Sequence, residues 1–163
     1  MNISNKCIID PVIGTAASVY TESTVMGRLE ELVDHAHKSS ACYPVLAAGI
    51  TITKAAGAWA AIPAIKTEIV PVDTITSPFD IHFLHCNTIS GTGEYVLNFY
   101  KGLAGAEILI GQACLSRSTT HSAEGSIPVQ TPIQLANTRI SVAISGSPAG
   151  TENIVAKIMY HTY

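Results

Sequence analysis

From residue 44 to the end, the chain is a succession of short runs rich in Val, Ile, Thr and Tyr, parted by Gly, Pro, Ser and Asn. The turn residues recur about every ten positions, which is the rhythm of sandwiches and barrels. Two runs show a strict period of two. In 94–100, Tyr95, Leu97 and Phe99 point one way and Glu94, Val96 and Asn98 the other. In 139–145, Ile140, Val142 and Ile144 face inward while Arg139, Ser141, Ala143 and Ser145 face out. Alternation of this kind belongs to a strand buried on one side. Further strands are expected at 45–53, 58–62, 65–70, 80–87, 107–117 and 153–161. The count of about eight favours a mainly β fold, an antiparallel, jelly-roll-like β-sandwich, over a smaller barrel.

The first forty residues have a different character. Residues 1–20 set Ile8, Ile9, Val12 and Ile13 among Pro11, Gly14 and small polar residues with no sustained period, and are expected to be an extended arm. Over 21–39 the period changes to that of a helix. Val25, Met26, Leu29, Leu32, Val33 and Ala36 recur at steps of three and four, one apolar stripe of an amphipathic helix. Thr21 or Ser23 caps its start and Glu22 suits the positive end of the dipole. Its end is marked by His35, His37 and Lys38, and Pro44 follows. The expected organisation is therefore an arm (1–20), a helix (21–39) and a sandwich domain (43–163). Val25, Leu29, Leu32 and Ala36 are spaced four, three and four apart, which fits a short self-association seam. The stripe packs either there or on its own sandwich.

At 163 residues the chain is long enough for one core. Only 13% of it is charged, about half the usual fraction, so part of the surface is expected to be covered by a partner. Net charge is −3 without a basic run, which argues against nucleic acid as a partner. The start, MNISNKCIIDPVIG, lacks the unbroken apolar stretch of a signal peptide, so the chain is expected to stay cytosolic when made. The weakly polar stretch 44–65 is interrupted by Gly49, Lys54, Gly57 and Pro63, and no membrane span is expected. Cys7, Cys42, Cys86 and Cys114 form no CxxC pair and are read as reduced thiols, two or three of them buried.

Six histidines are the first candidates for chemistry on this scaffold. On an unbroken strand, His82 and His85 leave opposite faces and cannot share one metal without a bulge. The same parity puts Asp80, His82 and Cys86 on one face. Even so, His82 and Cys86 stand roughly 13 Å apart at the usual rise, too far for a Cys–His nucleophile. His35 and His37 diverge on the helix, and His161 is read as a strand-end residue. Phosphate loops, GxSxG elbows and HExxH helices are missing, and the carboxylates are scattered. The expectation is no enzyme, no catalytic residue, no cofactor and no metal. Trp59, among alanines, is read as a packing anchor rather than a sugar platform. A binding module reading through the Ser-, Thr- and His-rich loop 116–126 stays open. An enzyme would need His82, His85 or His121 to converge with carboxylates.

The segments YPVLAAGITITKAAGAW (43–59), FDIHFLHCN (79–87), EYVLNFYKG (94–102), 139–145 and KIMYHTY (157–163) resemble structural proteins of tailed phages, in particular the small β-sandwich proteins that decorate or cement phage heads. The resemblance implies a virion protein at the capsid surface, a homo-oligomer with trimers favoured, and the major capsid protein as partner. Fibre, baseplate and receptor- or carbohydrate-binding sandwiches are similar in kind. No family motif assigns a contact residue. An apolar arm finds a neighbouring chain or stays unordered, and under this resemblance the arm, through Ile8, Ile9, Val12 and Ile13, is the expected capsid contact.

Overall fold

A computed structural model of the chain describes residues 40–45, 48–59, 66–119 and 125–163. The chain divides into two compact units, Met1–Ser39 and Ser40–Tyr163. The expected arm and helix, with Ile8, Ile9, Val12, Ile13, Val25, Leu29, Leu32 and Ala36, lie outside the described residues.

The described residues of the second unit carry nine strand segments: β1 (Ala41–Tyr43), β2 (Ile50–Lys54), β3 (Thr67–Val70), β4 (Phe79–Ile89), β5 (Gly93–Lys101), β6 (Ile108–Arg117), β7 (Gly125–Pro128), β8 (Ile140–Gly146) and β9 (Glu152–Thr162). One sheet has the order β1-β9-β4-β7, with β2 also on β9, and the other has the order β3-β8-β5-β6. Because β1 and β2 pair with successive stretches of β9, they amount to one interrupted edge strand. Two four-position sheets result. The antiparallel pairs β2:β9, β3:β8, β4:β7 and β5:β6 nest inside one another. A long hairpin rolled up in this way is a jelly-roll sandwich.

The interruption in the edge strand has a local cause. Gly49 has φ +69°, and a Cβ there would lie 2.9 Å from Ala156 O on β9. Only glycine combines that conformation with so close an approach. Of the described part of the expected strand at 45–53 only 50–53 is strand, as part of β2, while β1 precedes the expected range. The expected strand at 58–62 is not seen in its described part, since Ala58 and Trp59 lie in a turn and residues 60–65 are outside the description. The eighth position is filled instead by β7, a four-residue edge strand ending in Pro128.

Inside the sandwich, Ile52, Ile81, Leu84, Ile154 and Ile158 of one sheet meet Ile69, Leu97, Phe99, Val142 and Ile144 of the other. Each such burial is worth about 1.5–3 kcal/mol. The period-two pattern expected in β5 and β8 holds for Tyr95, Leu97, Phe99, Ile140, Val142 and Ile144, all buried. Ser141 and Ala143 point away from the core yet are also buried. They are small, and they stand opposite Tyr100 and Asn98 of β5.

Of the described cysteines only Cys86 is buried, and Cys42 and Cys114 are exposed. Fewer thiols are therefore hidden among the described residues than expected. Trp59 is half exposed instead of anchoring the core. Its left-handed turn conformation, φ +48°, and the bond from its N–H to Gly146 O at 2.7 Å hold it at the sandwich end.

The loops 71–78, 102–107 and 129–139 lie at one end of the sandwich, tied by Asn137 N–H to Ile75 O, Gly102 N–H to Arg139 O and Gln134 N–H to Phe79 O. An ion network braces it: Arg139 with Glu68 and Glu107, and Lys66 with Glu107 at 3.3 Å. Desolvation pushes the Glu107 carboxyl upward. Hydrogen bonds from its own N–H, from Gly105 N–H and from Lys66, with the Lys66 charge, outweigh that and hold it below the usual carboxylate range. A depressed folded-state pKa gives stability that is present above the unfolded value, about 4.5, and lost as pH falls through the folded one. Glu107→Gln is therefore expected to lower stability at neutral pH and to flatten the acid limb below pH about 4.5. Denaturant titrations across pH check this, and an unchanged acid limb would refute it.

Candidate functional site

Two features of the sandwich stand out as sites. The first is a side-chain cluster on the outer face of the β1-β9-β4-β7 sheet. In β4, Phe79 and Ile81 are fully buried, which directs Asp80 and His82 outward. In β9, Ile154, Ala156 and Ile158 are buried and Tyr160 packs on the core, so His161 also points outward. The antiparallel register places Asp80 directly opposite His161. Directly opposed residues on one face stand within side-chain reach.

Strand β4 does not keep one parity. Its register shifts between Ile81 and Phe83 and again between Cys86 and Thr88, and after the first bulge the buried residues are Leu84 and Cys86. The expectation that Asp80, His82 and Cys86 share a face is thus corrected: Cys86 points into the core. The expectation that His82 and His85 leave opposite faces is corrected too, since both now face outward. A bulge inserts one residue and flips everything beyond it.

Asp80 is nearly buried, 7% exposed. Its Oδ2 accepts from His82 Nε2 at 2.9 Å and from Tyr163 OH at 2.8 Å. A carboxylate cannot donate, so His82 carries a proton on Nε2. Oδ1 of Asp80 is buried with no hydrogen-bond partner among the described residues. His161 Nε2 lies 2.8 Å from Ser40 Oγ, and the His82 and His161 rings are 4.1 Å apart at 42°. Asp80, His82 and His161 each offer a ligand atom within 4.8 Å of the others. His85 belongs elsewhere on the same face, with Nδ1 3.2 Å from Ser126 Oγ. His121 lies outside the described residues.

The sequence expectation put Asp80 and His82 on one face but assigned neither to a site, and it did not pair them with His161. His161 looked like a strand end because nothing local announces the pairing of β4 with β9. The signal that was available is the Asp-x-His spacing itself, two residues on one face.

The second feature is apolar. Val72, Leu103, Ile108, Leu109, Ile133 and Leu135 are 54%, 71%, 61%, 49%, 56% and 80% exposed, and all belong to the end of the sandwich built by the 71–78, 102–107 and 129–139 loops and the start of β6. Large apolar side chains concentrated in this way mark contact surfaces. At the other end, a groove of about 300 Å³ is lined by Trp59, Glu94, Val96, Cys114 and Ser116 among others. Where the expected Ser-rich loop begins, Ser116 and Arg117 are the end of β6, and with Ser118, Gly93 and Glu94 they line a neighbouring depression. Among the described residues no helix is long and apolar enough to cross a membrane.

No family model, curated protein or solved structure matches the chain.

Proposed function

We propose that this chain is a non-enzymatic virion structural protein, a decoration or cement protein that binds the outside of a phage head and assembles with copies of itself. The observation that carries the reading is the apolar end of the jelly roll, where Leu103 and Leu135 are the most exposed of that end's large apolar side chains. The architecture supports it, because jelly rolls recur in viral capsid domains. So does a charged fraction of only 13%, low for a surface that meets nothing but water.

The mechanism is the burial of apolar area between capsid subunits. At about 25 cal/mol per Å², such burial raises the work of separating them. The described sandwich adds the loop end to the arm as a contact surface. Leu103→Asp with Leu135→Asp is expected to weaken particle binding at least about a hundredfold, since each buried leucine contributes about 1.5–3 kcal/mol. The check is co-sedimentation with virus particles stripped of the chain, with circular dichroism showing that the variant stays folded. Copy number in purified particles tests the reading as a whole. A chain absent from those particles, or a folded double variant that binds them at full affinity, would overturn it.

Carbohydrate binding is the second reading. The half-exposed Trp59 beside Glu94 and Ser116 favours it, because an accessible indole face stacks on sugar rings. Selective glycan binding that is lost in Trp59→Ala would support it over cementing.

A further inference from the structure

We infer that Asp80, His82 and His161 form a binding site for a borderline divalent transition ion, of which Zn²⁺ is the representative, joining strand β4 to strand β9. The inference is independent of the virion reading.

The donor set is two imidazoles and one carboxylate. Hard ions such as Mg²⁺ and Ca²⁺ take oxygen ligands, whereas imidazole nitrogen with carboxylate suits Zn²⁺ and its neighbours. The three donors already lie within 4.8 Å of one another, the mutual spacing that ligands about 2.0–2.2 Å from one ion can adopt with small side-chain rotations. They are held by backbone geometry: Asp80 and His161 form a registered pair across the sheet, and the bulge after Ile81 leaves His82 on the same face.

Asp80 is the independent evidence. Its side chain is nine-tenths buried, and Oδ1 has no hydrogen-bond partner among the described residues. A buried carboxylate oxygen without a donor is costly. A cation beside it removes that cost. The outer contacts are also those of a metal site. Tyr163 OH donates to Asp80 Oδ2 at 2.8 Å, and Ser40 Oγ lies 2.8 Å from a ring nitrogen of His161. Such contacts orient ligands and set their basicity. Binding through Nε2 would take the place of its hydrogen bond to Asp80, the ring proton then sitting on Nδ1, so His82 ligates as neutral imidazole. Three protein ligands leave a fourth tetrahedral position for water.

The expected role is a cross-link between the two longest strands at the chain's C-terminal end. The test uses the full chain, freed of metal with a chelator and titrated with Zn²⁺ by calorimetry, and with Co²⁺ followed by absorption. One equivalent of Zn²⁺ is expected at the site. At a hundredfold excess over Kd, Tm should rise by about 5–10 °C. The Co²⁺ complex should show tetrahedral d–d bands without thiolate charge transfer, which separates this site from the four cysteines of the chain. His161→Gln and Asp80→Asn should each weaken Zn²⁺ binding at least about a hundredfold, more than the 10–100-fold cost of outer contacts. His85→Gln, on the same face, should leave it unchanged. Because the Co²⁺ spectrum is taken on the natural chain, the inference stays testable if a ligand variant fails to fold. Thiolate bands, a natural chain that binds Zn²⁺ no tighter than about 0.1 mM (roughly −5.5 kcal/mol), or equal losses in His85→Gln and His161→Gln would each overturn it.

Discussion

Replacing Lys54 with Met is expected to cost about 2–4 kcal/mol of stability, from loss of charge-assisted hydrogen bonds partly offset by relief of the buried charge. Lys54 ends β2 with its side chain directed inward and is 1% exposed. Its ammonium donates to Ala55 O at 2.8 Å, Gly57 O at 2.9 Å and Gly150 O at 3.1 Å. All three protons of the ammonium are therefore used, and three carbonyls from two turns depend on one side chain. Met keeps the apolar stem and removes the donors, so the loss measures the hydrogen bonds rather than a cavity. Trp59, the one tryptophan of the chain, is bonded through its N–H to Gly146 beside these turns. Its fluorescence should shift in Lys54→Met under conditions where the strands remain intact. Denaturant midpoints with an unchanged slope are the measurement, and a loss under about 1 kcal/mol would refute the role assigned to Lys54.

Lys54 also shows where legibility in the sequence ends. A lysine in a run of alanines and threonines reads as a solvated residue, and nothing nearby announces that Gly150 will supply a carbonyl. The same holds for His161, whose partner Asp80 lies across the sheet. Local pattern was sufficient where a strand has one buried face and no irregularity, as in β5 and β8, whereas the jelly-roll class rested on the number of expected strands. It was insufficient in β4, where two bulges break the period that parity relies on. It also missed β7, because four residues ending in proline carry too little alternation to be read as a strand, although an edge position tolerates that proline. The apolar end was invisible for another reason. Leu103 and Leu135 have the composition of core residues, and only their loops' placement at the sandwich end exposes them.

Phe79→Ala is expected to be the most damaging single change considered, at about 3–5 kcal/mol for the cavity and about 0.5–1.5 kcal/mol more for a lost aromatic pair. Against a total of about 5–15 kcal/mol for an ordinary domain, such a loss brings the fold near its limit. Phe79 opens β4, is fully buried, and meets the Tyr160 ring edge-on, centroids 6.0 Å apart at 73°. Its backbone exchanges hydrogen bonds with Gln134, and the adjacent Pro78 O accepts from Tyr163 N–H. Three segments therefore converge on one ring, and a void beneath it cannot be filled by a single rotamer change. Phe79→Leu, which keeps most of the volume, should cost only about 1–2 kcal/mol. The next residue is Asp80, whose opposite number is His161. If those residues bind an ion as inferred, Phe79→Ala should also weaken Zn²⁺ binding although every ligand is still present, because the strands that hold them apart at a fixed spacing have lost their underside. Denaturation and Zn²⁺ titration of the same two variants check both statements. Equal losses of stability for Ala and Leu would show that the ring is not what fixes this corner of the sandwich.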